Sequence, residues 1–106
     1  MEARRWVSRY TVTATAGTDP VNDHLFEITV EQAYQMDGTE LWAVRRMGRC
    51  LNRRGEWSYE PIPSSRTDRW LRAHRFDLET ALRLAEKAAP KVTVNGWLPD
   101  GSRAGA

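Results

Sequence analysis

Residues 24–47 read HLFEITVEQAYQMDGTELWAVRRM, and this stretch decides the fold. Phe26, Ile28 and Val30 alternate with Glu27, Thr29 and Glu31, the period of two by which a half-buried strand sends successive side chains to opposite faces. Asp37-Gly38 follows, a pair that tolerates the positive φ angles of a tight turn, and Leu41, Trp42 and Val44 resume an apolar pattern beyond it. A strand over 24–36, a turn at 37–38 and a strand from 41 toward Leu51 therefore predict an antiparallel hairpin. Gly48 is expected to sit within the second of these strands as a bulge.

On the N-terminal side, Trp6, Tyr10, Val12 and Ala14 alternate with Arg9, Thr11 and Thr13, predicting a first strand over 6–14, and the turn formers of 16–23 make the connecting loop. On the C-terminal side, Asn52-Arg53-Arg54-Gly55 supplies a turn, and Trp57-Ser58-Tyr59 a fourth short strand. Pro61 and Pro63 stop it because neither can donate to a ladder. Ser64-Ser65 is expected to cap a short helical turn carrying Trp70 and Leu71. Asp77 then caps a helix over 78–89, ended by Pro90, in which Leu78, Ala81, Leu82, Ala85 and Ala89 form one apolar stripe. Lys91-Val92-Thr93-Val94 reads as a short last strand before a turn at Asn95-Gly96. The prediction is an α+β domain over 1–98: an antiparallel sheet of about four strands, a short helical turn, a C-terminal helix and that last strand, with a flexible tail over 99–106.

A chain of 106 residues is too short to divide into two well-buried cores, so one is expected. Five Trp in that length is a surplus, and each ring must find cover in the core or on a partner, or remain as exposed apolar surface. The sole cysteine, Cys50, allows no internal disulfide, which favours a reducing compartment. Residues 1–9 carry basic side chains but are followed by alternating polar residues where a signal peptide needs an unbroken apolar stretch, and no apolar run is long enough to span a bilayer; a cytoplasmic protein without a membrane partner is the expectation.

Charge is unevenly placed. Residues 1–44 hold three Arg against seven acidic side chains, 45–75 hold nine Arg against three, and 76–106 balance at four against four. The middle segment has no Lys, and planar guanidinium groups suit bidentate contacts to phosphate or carboxylate; an Arg-rich genome would leave the same bias. Arg45, Arg46, Arg49, Arg53 and Arg54 interleave with Trp42, Trp57 and Tyr59 across predicted strands, a surface able to neutralise phosphates and stack on bases. Alternation alone would also turn the rings into the core and leave Arg outside. Arg66, Arg69, Arg72 and Arg75 recur every third residue and would extend the basic surface if that segment were helical, or form a plain solvated helix face. Pro63-Ser64-Ser65-Arg66-Thr67 offers hydroxyls and a guanidinium that fit either an anion or ordinary helix capping.

Catalysis has little to draw on. His24, His74 and Cys50, the residues from which a nucleophile and base or a metal site would be built, lie on separate predicted elements without metal-ligand spacing. Glycine-rich phosphate loops of the common kinds are absent. No catalytic residue, metal or cofactor is assigned.

Gly55-Glu56-Trp57, the run Tyr59 to Arg66, His74-Arg75-Phe76-Asp77 and Val92-Thr93-Val94-Asn95-Gly96 resemble small uncharacterised proteins of actinobacteria and their phages, over about half the chain. That resemblance implies a host or mobile-element setting and no assigned activity. Strands bearing Arg and Trp, followed by Phe76-Asp77-Leu78-Glu79-Thr80-Ala81, are also similar to AP2-like arm-binding domains of phage integrases, which implies a sheet that meets DNA; those domains are shorter and joined to a catalytic domain. The expected function is a non-enzymatic binding module with nucleic acid, DNA foremost, as partner. The alternative is a protein-interaction module acting on a host protein. The sequence leaves the oligomeric state open.

Overall fold

A computed structural model describes residues 2–17, 19, 21–33 and 38–105. Five strands form one antiparallel sheet in the order β1-β2-β3-β4-β5: β1 (Arg9–Val12), β2 (Ile28–Gln32), β3 (Trp42–Arg46), β4 (Arg49–Leu51) and β5 (Trp57–Tyr59). Two helices follow, α1 (Asp68–His74) and α2 (Leu78–Ala88). Each strand pairs with the next in sequence, as short connections dictate. The α+β class is as expected, with one strand more.

The extra strand comes from Met47-Gly48. Their φ angles are +48° and +77°, so both central residues of the turn are left-handed. Such turns match the right-handed twist of the strands they join. The predicted bulge is thus a two-residue turn that folds the expected third strand back on itself, pairing Arg46 with Arg49 and Arg45 with Cys50. Other expected boundaries contract. Trp6 lies outside β1, and 23–26 forms a 3-10 turn before β2. Asp37 lies outside the described residues, while Gly38 has φ +84°.

Register sorts the side chains. Residues directly opposed share a face, so Tyr10, Val30 and Val44 lie together, as do Leu51 and Trp57. This face carries the core: Ile28, Val30, Trp42, Val44 and Leu51 pack with Ala81, Ala85 and Ala89. Leu78 and Leu82, expected among the helix's buried stripe, are only partly covered at its margin. Small residues on the buried line of α2 let the helix approach the sheet closely. Asp77 caps α2 as predicted, its carboxylate accepting from Thr80 N at 2.7 Å.

Phe76 extends the sheet without a strand of its own. It forms an antiparallel bridge with Trp42, exchanging both backbone hydrogen bonds (2.7 and 3.0 Å) where β4 has already turned away. Its ring joins the core, and alternation sends Arg75 to the opposite face.

Three further expectations are corrected. Thr67, not Ser64 or Ser65, caps α1, accepting from Trp70 N at 3.0 Å; Pro63–Ser65 is a separate 3-10 turn. The four Arg spaced by three do not share a helix face: α1 contains Arg69 and Arg72, while Arg66 precedes it and Arg75 follows it in extended backbone. Residues 91–94 add no strand to the sheet, because α2 runs on through a 3-10 turn at Ala89–Lys91. Val94 instead pairs locally with Trp97 across a turn at Asn95-Gly96, both of positive φ. Beyond it the expected tail makes bonds of its own, with Leu98 N donating to Ser102 O and Ala104 N to Gly96 O, each at 2.8 Å.

Candidate nucleic-acid interface

The arginines expected to act together divide between the two faces of the sheet. Arg45 projects opposite α2 and meets Glu60 through Nε and Nη2, the latter at 2.9 Å, and Glu31 at 3.0 Å. Arg75, whose side chain is 1% exposed, reaches the same Glu60 at 2.7 Å and donates to His74 O. Arg66 adds a third, longer ion pair to Glu60 at 3.6 Å and a hydrogen bond to Pro61 O, while Arg9 joins from Glu31. Burial disfavours ionised Glu60, but hydrogen bonds and charge from Arg45 and Arg75 outweigh it and hold its carboxyl below the usual range. The two arginines respond differently: burial pushes Arg75 down despite Glu60, while at Arg45 two carboxylates outweigh burial and push it up. Both remain guanidinium groups, as Arg does throughout proteins.

Trp70 completes this assembly. Its ring stacks on His74 at 4.2 Å, and the guanidinium groups of Arg75 and Arg66 lie 4.9 and 5.4 Å from its centroid. His74 and Cys50 are buried, and burial, followed by the charge of Glu60, pushes the Cys50 thiol up. His24 lies on the 3-10 turn before β2, a separate element from α1 and β4, which carry the other two. In the segment weighed as an anion loop, Arg66 and Thr67 are already engaged, one with Glu60 and Pro61, the other as the cap of α1.

The second group faces the other way. Arg46, Arg49 and Tyr59 stand in one row across β3, β4 and β5, on the face that carries α2. The 3-10 turn after α2 brings Lys91 beside them. Arg46, Arg49, Trp57, Tyr59 and Lys91 line a cleft of about 390 Å³, together with Met47 and the segment 92–93. A second cleft, of about 260 Å³, is lined by Arg53, Arg54, Trp57, Lys87 and Lys91. Trp57 and Lys91 belong to both, so the two form one track along β4 and β5. Among the described residues no carboxylate lines either cleft, and no ion pair engages any of the six cations.

Two of the six are held by other means. Arg53 donates from Nε to Arg72 O at 2.8 Å and lies 5.1 Å from the Phe76 ring, tying the β4–β5 turn to the end of α1. Arg49 lies 4.9 Å from the Tyr59 centroid. Tyr59 is 74% exposed, whereas Trp57 is half-buried as the floor between the clefts. Arg69 and Arg72 are exposed on α1 and line neither cleft.

Lys87 and Lys91 escaped the sequence reading, because their place depends on how far α2 continues past the sheet. A more open cleft of about 730 Å³ separates 14–26 from 94–101, but Asp19, Asp23 and Asp100 line it, which suits a phosphate backbone poorly. Those carboxylates accept turn hydrogen bonds, from Asn22, Asp19 N and Ser102 respectively. No helix among the described residues is long and apolar enough to cross a membrane, and no group of His, Cys, Asp and Glu among them could hold a metal ion. Comparison with family models, with curated proteins and with solved structures yields no match.

Proposed function

We propose that the protein is a non-enzymatic nucleic-acid-binding module whose contact surface is the track from Arg46 and Arg49 to Arg53 and Arg54. The convergence of six cations, none of them in an ion pair, on two joined clefts that share Trp57 and that no carboxylate among the described residues lines carries this reading. Of the six, Arg53 also borders a neighbouring cleft with Asp68 and Asp77, and its charge, behind the hydrogen bonds from Thr80, helps hold the Asp77 carboxyl down. Phosphates replace lost hydration at guanidinium and ammonium groups and release counterions, while aromatic faces beside them accept bases. Arg45, Arg66 and Arg75, candidates from the sequence, act instead as scaffold in this reading, because Glu60 already takes their charge.

The test replaces Arg46, Arg49 and Lys91 together with Gln. Folding is retained, since surface substitutions change stability by about 0.5 kcal/mol or less each. Binding weakens, and the slope of log K against log salt becomes shallower by up to about 2 to 3 units, each lost phosphate contact removing roughly 0.7 to 0.9. A wild-type protein that binds neither DNA nor RNA at low salt and micromolar concentration overturns the proposal and favours a protein partner.

A further inference from the structure

The shape of the track narrows the class of nucleic acid, on the reading that this face binds one at all. A duplex is entered by a projecting element, a helix or a two-stranded ribbon lying in the major groove. Here four of the six cations, Arg46, Arg49, Lys87 and Lys91, flank clefts recessed between the β4–β5 edge and the end of α2. A duplex, whose persistence length is about 150 base pairs, cannot bend into such a recess. A single strand bends into it. The exposed aromatic ring points the same way, because Tyr59 stands in register with Arg49 and Arg46, where a base unpaired in its own strand would find a face to stack on. Bases within a duplex are already stacked on each other and have no face to offer.

We infer that the track is a single-strand site: the backbone runs along β4 and β5 past Lys91, phosphates lie toward Arg46 and Arg49 at one end and Arg53, Arg54 and Lys87 at the other, and a base stacks on Tyr59. The site is short. The four steps from Gly48 to Asn52 span at most about 13 Å, so only a few nucleotides are held.

The experiment measures binding of the full chain to a dodecamer of deoxyuridine, a dodecamer of uridine and a mixed-sequence duplex of equal length, at the same salt, by anisotropy. The single strands bind about tenfold or more tighter than the duplex, and the tighter of the two identifies the preferred sugar. Tyr59→Ala weakens single-strand binding about five- to one-hundredfold, the worth of one stacked base, with the salt slope unchanged because no charge is lost. Tyr59→Phe, which keeps the ring, restores it. Tyr59 is exposed, so both variants fold, and a thermal melt checks this. Duplex bound as tightly as single strand, together with a neutral Tyr59→Ala and a salt slope still sensitive to Arg46, Arg49 and Lys91, overturns the single-strand site and leaves nucleic-acid binding standing. Absence of binding to all three overturns both.

Discussion

Arg45 and Arg46 are neighbours in β3, and they belong to two different machines. One step along the strand puts Arg45 on the face opposite α2, where Glu31 and Glu60 consume its charge, and Arg46 on the α2 face, where no carboxylate meets it. The first group is a closed network: Arg9, Arg45, Arg66 and Arg75 around two glutamates, with Trp70 stacked against it. The second is an open array of six cations beside an exposed ring. Guanidinium chemistry is the same in both. What differs is the period of the strand and the position of two acids, so arginine content alone is no guide to which surface holds an anion.

The largest effect is expected from breaking the closed group. Glu60→Gln leaves Arg75 buried without a counter-charge, and removal of one partner from a buried pair costs about 3 kcal/mol or more. Urea unfolding of wild type and variant measures it; a loss under about 0.5 kcal/mol would mean that Arg75 finds water instead. Arg46→Gln in the same assay changes stability little, and that contrast is the comparison in its sharpest form.

Acid should do reversibly what the Gln substitution does permanently. The folded Glu60 carboxyl titrates below its usual value of 4.5, so between the two values the unfolded chain binds more protons, and stability rises with pH across that window. The contribution is present in full above about pH 4.5 and is lost as pH falls through the folded value. The wild type therefore loses stability more steeply than Glu60→Gln below that pH, and the two melting curves converge in acid. Curves that stay parallel from neutral pH to pH 3 would place the pH response elsewhere.

How much of this division could be read from the sequence depends on the range of the signal. Alternation around Ile28 and Val30, the Asp77 cap and the 78–88 helix are local, and local rules suffice for them. The separation of Arg45 from Arg46 follows from the same alternation. Met47 hid the next step, since nothing in a Met announces φ +48°, and reading Gly48 as a bulge merged two strands and left the Arg46, Arg49 and Tyr59 row unseen. Arg75 needed the bridge between Phe76 and Trp42, thirty-four residues apart, and Lys91 needed the landing point of α2. Those contacts are set by packing of the whole domain.

The smallest expected effect lies at Arg53, where the two groups touch. Arg53 lines the second cleft, yet its Nε donates to Arg72 O, an orphan carbonyl near the end of α1, and its guanidinium carbon lies over the Phe76 ring, 5.1 Å from the centroid. A neutral Gln keeps the backbone bond from Arg53 N to Ala73 O but loses the side-chain donor and the ring contact. One such hydrogen bond contributes roughly 0.5–1.5 kcal/mol and one exposed cation–π contact about 0.5–1, partly recovered by water, so Arg53→Gln should cost about 1 kcal/mol. Arg54→Gln, next along the turn and without such an anchor, should cost under about 0.5 kcal/mol. In binding the order reverses or vanishes: each variant removes at most one phosphate contact, flattening the salt slope by less than about 1 unit. Equal stability with unequal binding would make Arg53 purely a ligand-facing residue. Unequal stability with equal slopes identifies it as the strut that holds one wall of the track to α1.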